Sequence, residues 1–271
     1  METALTPPAH AFDAIAEAFD DRYGGWLSVA AQRRAVRERL LTAFPAGARV
    51  LEIGGGTGED ALFLARRGRE VVMTDAAPAM VRVARAKLAG VAGASARVAT
   101  AEELGDLVEA PFDGAFSNFA ALNCVADLAA FAEGVAARLR PGAPLLLVLF
   151  GPFPPGEIAV QLARGDARAA FRRLRRGAVA ARLGGREFTV RYHRPGEVER
   201  SLAPWFRPVG RRGIGVFVPP SAAEPWISRH PRLLGALEAL DRTLSRPLAL
   251  LGDHLLHELR RTDAPPPGRG V

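Results

Sequence analysis

Gly54, Gly56 and Gly58 are spaced two apart, Glu52 precedes them by two residues, and Asp75 follows further along the chain. Glycine takes positive φ without steric cost and lets a ligand come close to the backbone. A carboxylate such as Asp75 accepts charge-assisted hydrogen bonds, which exceed neutral ones. The pattern fits a cofactor built on a nucleoside. A dinucleotide turn needs G-x-G-x-x-G, and the looser match at Gly56, Gly58 and Ala61 starts too late after the preceding apolar run. There is no Gly-Lys-Ser/Thr, so a phosphate-binding P-loop is excluded. His193, next to Tyr192, is the candidate proton acceptor. His254 and His257 sit at odd spacing on an expected strand, hence on opposite faces and not as a metal pair. His10 and His230 read as surface residues, and no metal site is expected. Cys124, the single cysteine, reads as a small buried residue, and one cysteine excludes a disulfide framework.

These residues need a scaffold, and the apolar spacing supplies one. Residues 10–44 carry helical periodicity, interrupted at Gly24-Gly25, and predict two short helices ahead of a sheet. Arg49 to Ile53, Val71 to Thr74, Ala96 to Ala99, Phe112 to Ser117 and Pro144 to Phe150 read as strands. Helices are expected from Glu59 to Arg67, from Pro78 to Gly90 and from Asp127 to Leu139, Pro78 standing where proline suits a first helical turn. Strand–helix alternation implies a parallel sheet covered on both faces. From Gly151 the pattern changes. The residues after Pro155 predict an Arg-rich helical segment to about Leu183, followed by a short strand from Glu187 to His193. Later come a helix from Pro195 to Leu202, a strand from Pro208 to Val218, a helix from Pro231 to Arg246 and a last strand from Gly252 to Arg260.

The 271 residues are 49% hydrophobic and 24% charged, enough for a sizeable single core. The formal net charge is +7, and Lys87 is the only lysine among 36 basic residues. That bias fits a GC-rich coding preference, which is the favoured reading of the charge. The first twelve residues lack the basic and apolar regions of a signal peptide, and Ala143 to Phe150 is far short of a membrane span. The expected compartment is the cytoplasm. The expected organisation is a single domain over 1–271: a helical segment at 10–44, a cofactor-binding core at 45–150, an inserted cap at 151–200, the rest of the sheet at 201–262 and a disordered tail at 263–271.

Val50 to Gly58 resembles the first motif of class I S-adenosylmethionine-dependent methyltransferases of the small-molecule type. Asp75 resembles the family's acidic ribose-binding position, and Ala76 to Met80 its usual continuation. Ala101 to Leu104 resembles the adenine-binding stretch, Phe112 to Asn118 the fourth-strand motif, and Leu139 to Ala143 the turn into the fifth strand. Together these cover about residues 45–150. The resemblance implies an α/β Rossmann-like fold: a seven-stranded, mostly parallel sheet with an antiparallel last strand, helices on both faces, N-terminal helices and an inserted cap. It implies S-adenosyl-L-methionine as cofactor, held by Tyr23, Glu52, Gly54, Gly56, Gly58, Asp75, Ala76, Met80, Thr100, Ala101, Glu102, Asn118 and Phe119. Thr100 departs from the acidic residue often found there, which leaves the adenine contacts to Thr100, to Glu102 or to the backbone near Ala101.

Methyl transfer from a sulfonium needs proximity and orientation, and a base only if the acceptor arrives protonated. His193 and Asn118 are the candidate catalytic residues, and Trp26, Asn123, Tyr192 and His193 the candidate acceptor-site residues. Ser117-Asn118-Phe119-Ala120 lacks the Asn/Asp-Pro-Pro-aromatic motif of the base-modifying members. The expected partner is a small molecule methylated at O, N or C, in specialised metabolism by analogy. Arg164, Arg168, Arg172 and Arg176 predict one basic helical face in the cap. A solvated face is the favoured reading, and a site for an anionic substrate is the alternative. Nucleic acid is disfavoured, because no aromatic residues interleave the charges. The chain is expected to act as a monomer or homodimer. The rivals are an aminopropyltransferase, a non-catalytic cofactor-binding partner and, third, an NAD(P)-dependent oxidoreductase.

Overall fold

The computed structural model describes residues 7–107 and 111–263. The chain opens with α1 (Pro7–Asp13), α2 (Phe19–Tyr23) and α3 (Leu27–Ala43). The core follows as β1 (Arg49–Ile53), α4 (Glu59–Ala65), β2 (Glu70–Asp75), α5 (Pro78–Leu88), β3 (Ala94–Val98), β4 (Gly114–Ser117), α6 (Leu128–Arg138) and β5 (Pro144–Phe150). Then come α7 (Pro155–Ala163), α8 (Ala167–Ala170), β6 (Ala178–Leu183), β7 (Arg186–Arg191), α9 (Pro195–Leu202), β8 (Phe206–Ile214), α10 (Pro231–Leu244) and β9 (His254–Arg261).

Seven strands form one sheet in the order β3-β2-β1-β4-β5-β9-β8. β1 pairs parallel with β2 and β4, and β9 pairs antiparallel with both β5 and β8. β9 is thus the one strand running against the rest, as the resemblance implies. The central strands are buried on both faces, which explains their unbroken apolar runs; Leu145 to Leu149 are all 3% exposed or less. One face packs against α6 and α9 through Phe131, Val135, Val198 and Leu202. The other packs against α3, α4 and α5 through Leu40, Leu64, Val81 and Ala84.

Two expectations need correction. The N-terminal segment forms three helices rather than two short ones, and α3 alone spans 17 residues. The Arg-rich segment is not one helix to Leu183. α7 stops at Ala163, α8 is a single turn, and 178–183 is β6, paired in a hairpin with β7. Gly165 at φ 77° and Gly177 at φ 76° break the helical path, because positive φ leaves the right-handed helix. The basic face therefore does not form: Arg164 donates to the Ala222 carbonyl and Arg172 pairs with Glu157. The expected tail at 263–271 lies, beyond Asp263, outside the described residues.

The N-terminal helices and the hairpin meet over the sheet's C-terminal edge. Phe12 of α1 lies 6.0 Å from Phe188 of β7. Below them a buried polar cluster ties the cap down. Arg173 pairs with Glu157 at 2.5 Å and with Asp253 at 2.6 Å, and all three are buried.

Candidate cofactor and acceptor site

The turn after β1 runs through Gly54, Gly56 and Gly58 at φ 68°, 57° and 79°. A Cβ on Gly54 would lie 2.4 Å from the Ala121 Cβ, so a side chain there is excluded on two counts. A Cβ on Gly56 would meet nothing within 4 Å. The turn is thus packed from behind and open in front. Asp75, at the end of β2, holds it. Its Oδ2 accepts from the Gly56 amide at 2.8 Å and its Oδ1 from the Ala77 amide at 2.9 Å. Each carboxylate oxygen keeps a further lone pair for a hydroxyl donor. Burial pushes the Asp75 carboxyl up, and the two amide bonds work against that shift.

Glu52 lies beneath the turn, 2% exposed, and its Oε2 has no hydrogen-bond partner. Burial first, and then the Asp60 charge, hold its carboxyl well above the usual range. A buried acceptor left open beside such a turn calls for a cationic or N–H donor. An ammonium group meets that need, so these residues fit an amino-acid-bearing nucleoside cofactor.

The N-terminal segment is fastened across the same turn. The Thr57 hydroxyl donates to Asp20 at 2.7 Å, and the Lys87 ammonium lies 2.6 Å from both Asp20 and Glu59. Met80 is buried against Phe12, Ile15, Phe19 and Ala76. Tyr23 and Trp26 are half-buried, and Tyr23 packs on Phe19 at 4.9 Å and edge-on to Trp26 at 5.1 Å. On the adenine side, the Thr100 hydroxyl and amide both donate to Glu103 at 3.0 Å. Ala101 packs into the core, and Glu102 is exposed.

After β4 the chain makes an uncommon turn. Phe119 and Ala120 take φ 49° and 63°, a left-handed pair that costs energy for residues with a Cβ and clusters at functional sites. Asn118 does not hang free. Its Nδ2 donates to Asp60 at 2.7 Å, and its Oδ1 accepts from the Phe119 amide. Asp60 is buried between Arg37 at 2.6 Å and Arg33 at 3.3 Å. Burial raises its pKa, yet the two guanidiniums hold the carboxyl below its usual range. Asn123, expected in the acceptor site, is fully buried and bridges two strands. It donates to the Arg191 carbonyl at 2.5 Å and accepts from the Phe150 amide at 3.0 Å. Tyr192 lies 5.6 Å from Phe150. His193 borders a cavity under the β7–α9 junction, away from any contact with Asn118. Cys124 is half-buried, and burial pushes its thiol up to about 11, which leaves no thiolate for nucleophilic work.

Sequence reasoning missed His254. β9 is antiparallel, so its first residue lies at the sheet edge that holds the glycine turn. The His254 ring stacks on Phe150 at 5.4 Å and meets Phe119 edge-on at 5.7 Å. Its Nδ1 lies 3.5 Å from Asp253. Burial lowers its pKa despite the Asp253 charge, so the ring is neutral at neutral pH. The signal was the Asp253-His254 pair opening a strand that runs against its neighbours.

Residues 50–142 match the family described as a methyltransferase domain. A ubiquinone biosynthesis O-methyltransferase from Xanthomonas axonopodis pv. citri (strain 306) is 38% identical over 104 residues, which is 38% of this chain and 43% of that protein. The match thus spans less than half of that relative. Among solved structures, DhpI in complex with SAH superposes with a TM-score of 0.60 at 19% identity, covering 95% of this chain and 97% of that one. An S-adenosylmethionine-dependent methyltransferase structure from Methanosarcina mazei gives 0.55 at 21% identity, covering 82% and 96%. The glycine turn, Glu52 and Asp75 all lie within the stretch that matches the methyltransferase domain, and the fold of the whole chain is that of the S-adenosylmethionine-dependent methyltransferase structures it superposes on. No helix among the described residues is long and apolar enough to cross a membrane.

Proposed function

We propose that this protein transfers a methyl group from S-adenosylmethionine to a small-molecule acceptor at O, N or C. The observation that carries the reading is the pairing of an open Gly56 face with the half-buried Asp75 carboxyl and the buried, partnerless Glu52. The cofactor supplies a methyl group on a sulfonium, which leaves as a neutral thioether. Asp75 would accept from the ribose hydroxyls and Glu52 from the ammonium, while the backbone near Ala101 and Thr100 borders the adenine. The strained Phe119–Ala120 turn, held by Asn118, would form the wall on the acceptor side. Among the histidines, His254 is better placed than His193 to accept a proton there, because its ring touches Phe119 and stays neutral.

An aminopropyltransferase would need a free carboxylate at this wall to hold its amine. The carboxylate nearest Asn118 is Asp60, which Arg33 and Arg37 neutralise. Incubation with methyl-labelled S-adenosylmethionine and a panel of hydroxylated and aminated small molecules tests the proposal. Labelled product with release of S-adenosylhomocysteine supports it. Binding of the cofactor with no turnover on any acceptor would favour the non-catalytic partner reading.

A further inference from the structure

A cavity of about 400 Å³ opens between the Arg173–Gly177 loop, the end of β7 and α9. Arg173, one of its walls, is consumed by Glu157 and Asp253. Arg175, Arg176, Arg191, Arg194 and Arg200 also line it, and none of the five has a carboxylate partner among the described residues. Glu197 is the only acidic residue in the lining among the described residues. His193 is there as well, with its Nε2 buried and without a hydrogen-bond partner. Like charges gathered around one concavity repel, and the single Glu197 carboxylate does not balance five guanidiniums. An unpartnered buried ring nitrogen points the same way, because such atoms are normally satisfied. The apolar part of the wall is Tyr192, which packs on Phe150, and Phe150 in turn stacks on His254. A run of rings thus leads from the cavity to the Phe119 turn.

We propose that this cavity binds the phosphoryl group of an organic phosphate, and that this phosphate ester is the methyl acceptor. Guanidinium forks match phosphoryl oxygens two at a time, and several such groups suit a dianion better than one carboxylate would. Tyr192 would pack against the organic part. The assignment of the ligand as acceptor rests on the methyl-transfer reading; the phosphoryl site itself does not.

Calorimetric titration with phenyl phosphate and with inorganic phosphate, on the full chain without cofactor, separates the two. Saturable 1:1 binding is expected, with phenyl phosphate at least tenfold tighter. Arg191→Gln with Arg194→Gln should weaken it at least tenfold, and Arg207→Gln, on the exposed start of β8, should leave it unchanged. Thermal unfolding of each variant verifies that it is folded, and Arg200→Gln serves as a second probe if the double variant is not. Absence of saturable binding, or binding that none of the cavity variants alters, would overturn the site. Equal affinity for the two phosphates would overturn the acceptor assignment in favour of a free oxyanion. A single-stranded oligonucleotide binding more tightly with increasing length would overturn it in favour of nucleic acid. If phenyl phosphate binds as expected while S-adenosylmethionine does not, the site stands and the methyl-transfer reading falls.

Discussion

Asp75 fixes the glycine turn through the Gly56 amide, and in the proposed cofactor complex the same carboxylate also accepts from the ribose hydroxyls. Asp75→Ala removes both, so cofactor affinity should fall at least tenfold by calorimetry. Asp75→Asn keeps one acceptor and should lose less. Asp60 is a different case. It is buried between two arginines and bonded to Asn118, so removing either side leaves an uncompensated charge. Arg37→Ala should cost about 3–5 kcal/mol of stability in urea denaturation, and a loss below about 1 kcal/mol would show that Arg33 suffices. The placement of Glu52 and Asp75 around the glycine turn was legible in the sequence because they sit within one strand–turn–helix unit, where local spacing fixes geometry. Asp60 and His254 were not, because their meaning depends on α3 and on the reversed β9. Asn123 misled for the same reason. A polar residue after β4 can face a pocket or tie two strands together, and only its tertiary partners decide.

The strand–helix alternation was readable because buried parallel strands carry unbroken apolar runs, α4 and α5 open at Gly58 and Pro78, and α6 opens at the Asp127 cap. The cap was not, since arginines every four residues look helical whatever the glycines at 165 and 177 do. The latch formed by Thr57, Asp20, Lys87 and Glu59 joins α2, α4 and α5 at the mouth of the site. Its charged members are partly exposed, so it adds little global stability. Its effect is local order. Asp20→Ala should raise amide exchange in residues 16–26 and weaken cofactor binding several-fold, with the melting temperature nearly unchanged. Equal exchange in the variant and the parent chain would mean that packing of Met80 on Phe12 and Phe19 holds the segment alone.

At the level of the whole molecule, buried neutral histidines make stability depend on pH. Burial first, and then Arg211, lower His257 from 6.5 to about 4. Its folded pKa lies below the unfolded value, so the unfolded chain binds the proton first as pH falls. Stability from this group is complete above pH 6.5, falls through the interval and is lost by about pH 4. The loss is roughly 2 kcal/mol at pH 5, and His254 acts in the same direction. Glu52 opposes it, because the folded state keeps its proton to higher pH. Urea midpoints at pH 7.5 and pH 5 should therefore differ, and His257→Gln should narrow the gap. The same gap in the variant would show that other groups govern it.

The proposed S-adenosylmethionine site consists of the glycine turn with Glu52 and Asp75. Its most direct test is calorimetric titration of the full chain with S-adenosylmethionine, S-adenosylhomocysteine and NAD. Saturable 1:1 binding of the first two is expected, weakened at least tenfold by Asp75→Ala, with no heat from NAD. Binding of NAD alone, or of none of the three, would contradict it.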